Sequence, residues 1–367
     1  MRIFHCDHCG HLLFFENSRC LNCQHQLAYL PDLSVVGSLE SAGGELWCSP
    51  LERARGRLYR LCANYQAANV CNWALPADGE GSLCLSCRLT QVIPDLSQPE
   101  HREAWYRLEV AKRRLIYSLL QLQLPIHSRT DDPDHGLAFE LLADMAPHEP
   151  PVLTGHNDGV IVINVAEADD AQREARRQQL HEPYRTLLGH FRHEIGHYYW
   201  DRLIAGGPAL AGFRELFGDE QQDYQQALQR YYQEGPPANW QDRWISAYAT
   251  THPWEDWAES WAHYLHMTDT LETAAAMGLR LTAQRAGDPS LRSEVHLQQR
   301  ASFERMIDDW HPLTYALNSL SRGLGLRDSY PFVLSAEVID KLRFIHTVIA
   351  DCTGTHDQHQ RASMLDR

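Results

Sequence analysis

Apolar residues along this chain recur mostly at the three- to four-residue spacing of an α-helix. From Glu100 to Leu124 they alternate with charged residues, and Pro125 ends the pattern. The stretch from Tyr184 to Ile204 has the same spacing, and Pro183 suits the first turn of its helix. The β-branched run from Gly159 to Ala166 instead predicts a strand. Together these segments predict an α+β fold that is mostly helical and contains a small sheet.

The carboxyl-terminal part of the sequence is also predicted to be helical. One helix ends at Tyr232, before the break at Gly235-Pro236-Pro237, and the next covers Tyr248 to Met267. The last hundred residues are expected to be all-helical, over residues 272–286, 295–322 and 335–350. Residues 169–182 are expected to form a charged helix or loop, and residues 352–367 a polar, frayed end.

Length and charge exclude several classes of protein. At 367 residues the chain is longer than one typical domain, so we expect a sizeable core plus smaller modules. The net charge of −15 argues against broad nucleic-acid binding, and the one basic cluster, Arg53 to Arg60, is interpreted as a solvated face. No apolar run approaches the ~20 residues that span a bilayer. The first residues lack the apolar core of a secretory signal, so we expect a cytoplasmic protein that does not engage a membrane.

The cysteines are concentrated at the amino-terminal end. Ten are present, nine of them before residue 88, and their C-x-x-C pairs favour metal binding over disulfides in a chain without a secretory signal. Two pairs predict a zinc ribbon in residues 1–30, where four thiolates hold a structural zinc ion. Its predicted ligands are Cys6, Cys9, Cys20 and Cys23. The nearby histidines that could replace one of these ligands are His5, His8, His11 and His25.

A second, looser cysteine-rich module is predicted in residues 31–98. Cys84 and Cys87 form its clear pair, and the partners must come from Cys48, Cys62 and Cys71. Cys62 and Cys71 are favoured because they lie in a polar stretch that leads through a turn to the pair. Cys48 is then a spare thiol, and the module holds a second structural zinc ion.

The helix predicted from Tyr184 to Ile204 contains the motif H-E-x-x-H. His193 and His197 are four residues apart, lie on one helical face and can therefore bind one metal ion. Glu194 is then positioned to take a proton from metal-bound water as the general base. Gly196 costs roughly 1 kcal/mol of helix propensity, which suggests that a small residue is required near the metal.

A third metal ligand must be a carboxylate. A metzincin would continue with glycine and histidine where this chain has Trp200 and Leu203, so that class is excluded. The candidates are Glu215, with Asp219 four residues on, and Glu255, with Glu259 four residues on. Glu255 and Glu259 fall on one helical stripe, and acidic residues one turn apart repel each other unless a cation lies near them, which is a reason to place metal there. Glu259 itself is a third alternative as the direct ligand.

The segment from Tyr248 to Glu259 resembles the corresponding segment of gluzincins related to anthrax lethal factor. In both, a tyrosine precedes an E-x-x-A-E run by seven residues. The resemblance implies that Glu255 is the third zinc ligand and that Glu259 orients a ligand histidine. It also implies that Tyr248 donates a hydrogen bond to the oxyanion.

A wider resemblance covers most of the chain. The segments that carry it are CDHCG, FFENSRCLNC, CLSCRLT, LLGHFRHEIGHYYWDRLI and HPWEDWAESWAHYLH. They are similar to those of a family of predicted bacterial zinc-binding metallopeptidases with an amino-terminal zinc ribbon.

These observations together predict a zinc-dependent peptidase. A connecting helix is expected in residues 99–130, a zincin-like metallopeptidase domain in residues 131–350 and a polar tail in residues 351–367. One catalytic and two structural zinc ions would be bound, and the substrate would be a peptide or protein. The competing hypothesis is a binding or adaptor protein that recognises its partner through the zinc ribbons and retains an inactive zincin scaffold.

Overall fold

The structure is a computed structural model that describes residues 2–144, 152–179, 186–292 and 302–365. The chain divides into two compact units. Within the described residues, the first unit comprises Met1–Ile116, His127–Thr154 and Val160–Asp169. The second comprises Tyr117–Ile126, Gly155–Gly159 and Asp170–Arg367. Two cysteine-rich modules therefore lie in the first unit, and the H-E-x-x-H motif lies in the second.

The strands are short and most belong to the first unit. They are β1 Phe4–His5, β2 Leu12–Leu13, β3 Gln26–Leu30, β4 Val35–Gly43, β5 Leu46–Cys48, β6 Tyr59–Leu61, β7 Ala74–Pro76, β8 Thr90–Val92, β9 Ala138–Leu142, β10 Gly155–Asn157, β11 Val160–Asn164, β12 Arg280–Leu281 and β13 Leu291–Arg292. Strands β3 to β7 form one antiparallel sheet in chain order, whereas β8 and β11 flank β9 in parallel.

The helices lie mainly in the second unit. They are α1 Ala63–Gln66, α2 Pro99–Gln121, α3 Asp170–Gln179, α4 Leu187–Leu203, α5 Leu210–Phe217, α6 Tyr224–Glu234, α7 Pro253–Ala276, α8 Phe303–Gly323 and α9 Ala336–Leu365. None of these helices, over the described residues, is both long enough and apolar enough to cross a membrane.

Several predicted elements are found with changed ends. The predicted strand 159–166 is β11, which stops at Asn164 because the side chain of that residue accepts a hydrogen bond from the Ala166 N–H (2.8 Å) and starts a 3₁₀ turn. Helix α4 begins at Leu187, where the Thr186 hydroxyl accepts the Gly189 N–H (3.0 Å). The expectation for Pro183 falls outside the described residues.

The expectation of an all-helical carboxyl-terminal region was wrong in one segment. The helix predicted over residues 272–286 ends at Ala276, because Gly278 adopts a positive φ of 63° and closes the last turn. The chain then forms the antiparallel pair β12–β13. Helix α9 continues to Leu365, well beyond the predicted end at residue 350, and the prediction for residues 295–301 falls outside the described residues.

The centre of the second unit is the close approach of α4 and α7. A Cβ atom at Gly196 would lie 3.0 Å from the Cα of Ala258 and 3.2 Å from the Cβ of Trp261. The indole N–H of Trp257 donates to the main-chain oxygen of Gly196 (2.9 Å). Gly196 is therefore explained by helix packing. The lack of a side chain allows the backbones of α4 and α7 to approach closely, which also brings the side chains of the two helices together.

Substitution of Gly196 by alanine should destabilise the fold. The added methyl group meets backbone atoms of α7, so the helices must separate at a cost of about 1–3 kcal/mol. Gly323→Ala is the matched control. Gly323 is the last residue of α8, and no atom lies within 4 Å of a Cβ atom added there. Unfolding free energies measured in denaturant at one zinc concentration compare the two variants. Equal stabilities would contradict the packing role of Gly196.

Candidate metal centres

The first four-cysteine cluster lies in the predicted ribbon. The sulfur atoms of Cys6 and Cys23 are 3.6 Å apart, as are those of Cys9 and Cys20. Ligands at the Zn–S distance of about 2.3 Å in a tetrahedral site lie about 3.8 Å from each other, whereas a disulfide would bring two sulfurs to about 2.05 Å. All four thiols are free, so their spacing fits a zinc ion and not a pair of disulfides.

Histidines approach this first cluster from one side. The rings of His8 and His25 stack with centroids 3.8 Å apart, and both offer a ring nitrogen close to the sulfur of Cys23. The four sulfurs already form a complete tetrahedral set, so no histidine is needed as a ligand.

The second cluster brings together the four cysteines favoured from the sequence. They are Cys62, Cys71, Cys84 and Cys87, and all are buried. Main-chain N–H groups point at three of the sulfurs, at 3.3 to 3.5 Å. The Cys48 sulfur instead lies 3.7 Å from the main-chain oxygen of Glu40, outside the cluster.

Buried cations accompany the second cluster. Lys112 is fully buried, and its ammonium contacts the Glu109 carboxylate at 2.8 Å. Burial opposes the charge of Arg113, but the neighbouring Cys71 and then Glu109 raise the pKa of its guanidinium. A zinc ion with four thiolates carries a net charge of −2, so a buried cation beside it offsets the cost of burying that charge.

The third cluster is formed by the H-E-x-x-H motif and one acid of α7. The Nε2 atoms of His193 and His197 lie 3.2 Å apart, and the Oε2 atom of Glu255 lies 3.0 Å and 3.5 Å from them. Ligands about 2.05 Å from a tetrahedral zinc ion are separated by about 3.3 Å. The three atoms therefore occupy three corners of a zinc-sized tetrahedron.

The acidic and imidazole groups of this cluster change one another's pKa. The Glu255 Oε2 atom is buried and faces the ring nitrogens of His193 and His197. Burial alone would raise the pKa of Glu255, but His197 and His193 hold it well below its usual value. Burial alone would lower the pKa of His193, but Glu255 and Glu259 raise it well above normal. A buried carboxylate facing two imidazoles is the donor set that zinc binds, and the residues fit that ion.

Glu259 lies behind the cluster. Its Oε1 atom is 2.7 Å from the Nδ1 atom of His193, on the side of the ring opposite Glu255. A ligand histidine characteristically donates its second N–H to a carboxylate, which fixes its tautomer and orientation. Glu259 therefore contacts the histidine and not the shared ligand position.

Glu194 and Tyr248 lie at the same site. Glu194 is 8% exposed, and Tyr248, at the start of a 3₁₀ turn, has its ring centroid 6.0 Å from that of His193. Burial and then the charge of Glu255 raise the pKa of Tyr248 well above its usual value, and the charge of Glu194 acts in the same direction. The structure thus brings together the motif, the acid pair of α7 and the predicted tyrosine.

Two aromatic residues at this site were not predicted from the sequence. The hydroxyl of Tyr224, at the start of α6, donates to the Oε1 atom of Glu255 at 2.7 Å. The ring of Trp254 lies 4.6 Å from that of His197. No motif marks Tyr224, which stands 31 positions before its partner, and Trp254 lies within the quoted segment HPWEDWAESWAHYLH, where no function was predicted for it.

The alternative acid pair lies elsewhere. Glu215 and Asp219 are exposed, and the Asp219 carboxylate accepts the Gln221 N–H at 3.0 Å.

Arginines of the basic cluster are held within the first unit: Arg57 pairs with Asp32 at 2.6 Å, and Arg60 donates to a main-chain oxygen. Neither the Glu215–Asp219 pair nor these arginines belong to the three metal-binding clusters found in the described residues.

Fold and clusters define a class of protein: two four-cysteine zinc-ribbon modules precede a mixed helix and sheet domain with a two-histidine, one-carboxylate cluster. A family model for a zinc-ribbon domain matches residues 3–98. The chain belongs to the family described as "Putative zinc-binding metallo-peptidase", whose model matches residues 101–348.

Relatives of nearly the same length exist in mycobacteria. Proteins of Mycobacterium bovis and Mycobacterium tuberculosis, each named only as an uncharacterized protein, are 48% identical over 351 residues, which is 95% of either chain. No solved structure matches the chain.

Metal analysis of the purified protein should find about three zinc ions per chain, one for each cluster. A chelator should remove one of them first, because a site with three protein ligands is more accessible than a closed thiolate site. Inductively coupled plasma mass spectrometry before and after chelation gives both numbers. A value near two before chelation would mean that the H-E-x-x-H helix binds no zinc.

Glu255→Ala should lose only the labile zinc ion, because it removes one corner of the third cluster and leaves the thiolates untouched. Glu215→Ala is the matched control: it removes the same group from an exposed position and should retain all the metal. Zinc content after dialysis distinguishes the two variants. The reverse result would assign the third ligand to Glu215.

Proposed function

We propose that this chain is a zinc-dependent peptidase in which His193, His197 and Glu255 bind the catalytic zinc ion. The observation that carries the proposal is the convergence of three ligand atoms, one from each residue, within 3.0 to 3.5 Å of one another. The family to which the chain belongs supports the same reaction class.

Glu194 is the general base of this proposal. When bound, zinc supplies Lewis-acid activation of a water molecule and of the scissile carbonyl. Glu194 follows His193 directly in the helix, and it accepts the proton that the attacking water releases. The same carboxyl group then delivers that proton to the leaving amine, so the residue ends the cycle ionised again.

Tyr248 is proposed to donate a hydrogen bond to the oxyanion of the tetrahedral intermediate. Burial and then the charge of Glu255 raise the pKa of Tyr248 well above its usual value, which favours the protonated hydroxyl that a hydrogen-bond donor requires. One well-placed donor of this kind contributes about 3–4 kcal/mol to transition-state stabilisation. Glu259 contributes indirectly, by holding the ring of His193.

The zinc ribbons are proposed to have structural roles or to recognise the substrate or a partner protein. Their eight thiolate ligands need to stay reduced, which suits a cytoplasmic location. A peptidase that relies on ribbons for substrate choice would act on few proteins and poorly on generic peptides.

Glu194→Gln should retain the metal and lose at least about 100-fold in hydrolysis, since the amide cannot accept the proton. Proteome-wide cleavage profiling with the native protein and with this variant identifies substrates and tests the base together. Glu215→Gln makes the same chemical change at an exposed position and should cleave normally. Equal cleavage by the native chain and Glu194→Gln would remove the proposed base, and no cleavage by either would favour the adaptor hypothesis.

A further inference from the structure

We propose that Tyr224 is a positioning residue that keeps Glu255 a monodentate zinc ligand by occupying its second carboxylate oxygen. The proposal rests on the metal site of the proposed function. It does not depend on which peptide, if any, the site cleaves.

The two oxygens of Glu255 face different partners. Oε2 lies 3.0 Å and 3.5 Å from the ring nitrogens of His193 and His197. Oε1 lies 2.7 Å from the hydroxyl of Tyr224, on the other side of the carboxylate. One oxygen therefore points to the shared ligand position, while the other already accepts a hydrogen bond.

Tyr224 is held in place by the first turn of the helix that carries Glu255. Its ring lies 5.4 Å from that of His252 and 6.3 Å from that of Trp254. The Nε2 atom of His252 contacts the main-chain oxygen of Gln222 at 3.1 Å, two residues before Tyr224. The amino-terminal turn of α6 and that of α7 are thus tied together around the carboxylate.

The hydroxyl of Tyr224 is engaged by Glu255. A tyrosine has only one hydroxyl proton to donate, and here it is committed to Glu255. Tyr224 is therefore distinct in this proposal from Tyr248, the proposed oxyanion donor.

Monodentate ligation matters because a catalytic zinc site needs an open position. A carboxylate that binds through both oxygens takes a second position, which water or the substrate carbonyl would otherwise use. Groups behind the direct ligands typically change metal affinity or activity by about 10–100-fold when they are removed. Loss of the Tyr224 hydroxyl frees Oε1, and the freed oxygen can turn to the metal.

Cobalt(II) in place of the labile zinc ion reports the number of ligands. The visible absorption of cobalt weakens when the coordination number rises from four to five, and the measurement needs no substrate. We expect Tyr224→Phe to bind cobalt within a few-fold of the native affinity, to show the weaker five-coordinate bands, and to lose about 10–100-fold in kcat/KM. Tyr315→Phe, which removes an exposed hydroxyl on α8, should match the native chain in all three measurements.

Unchanged cobalt bands in Tyr224→Phe, or loss of cobalt from the folded variant, would overturn the proposal, since a purely structural tyrosine gives one of those results. X-ray absorption at the cobalt edge of the unaltered chain is a second test that requires no variant. It should find one oxygen ligand from a carboxylate, and two would contradict the proposal. A chain that binds cobalt as expected but cleaves no peptide would end the peptidase proposal alone.

Discussion

The close contact between α4 and α7 at Gly196 is the constraint on which the third cluster depends. His193 and His197 reach one point because they share a helical face, but a carboxylate from another helix can join them only if the two backbones nearly touch. The absence of a side chain at Gly196 permits that approach, and the hydrogen bond from Trp257 to its main-chain oxygen fixes the two helices in register. A bulkier residue at this position would move Glu255 away from both imidazoles.

The acidic residues of α7 differ in the side chains that they contact. Three of them are compensated within the second unit: Asp256 by Lys341, Asp269 by Arg192 and Ser118, and Glu272 by the hydroxyl of Tyr117. Glu255 and Glu259 face the imidazole of His193 from opposite sides. Removing charged groups from water is costly unless each is matched. Glu255 and Glu259 are instead partnered by an imidazole of the H-E-x-x-H motif, which is the arrangement of a zinc ligand and of the carboxylate that orients a ligand histidine.

The sequence predicted the groups that a short spacing or a family resemblance marks, and it missed the contacts that carry neither signal. Cysteine pairs and the H-E-x-x-H motif are local, so their clusters could be predicted, including the preference for Cys62 and Cys71 over Cys48. Gly196 was interpreted as a requirement of the metal, because only the structure reveals the backbone of α7 beside it. Tyr224 carries no local signal at all, since the residue that it contacts, Glu255, stands 31 positions further along the chain. The pair β12–β13 was missed because two-residue strands have no detectable period.

The three clusters differ in whether their protein ligands leave a coordination position open on a bound zinc ion. In each ribbon four thiolates occupy all tetrahedral positions, and the second cluster is further enclosed, with all four cysteines buried and Lys112 and Arg113 beside it. Such a site has no position for a substrate, so its contribution is to hold a module too small to fold on its own core. The third cluster offers only three protein atoms, and the remaining oxygen of Glu255 is engaged by Tyr224. The proposed reaction would therefore take place in the second unit, and the ribbons would contribute through the fold that they stabilise or the surfaces that they present.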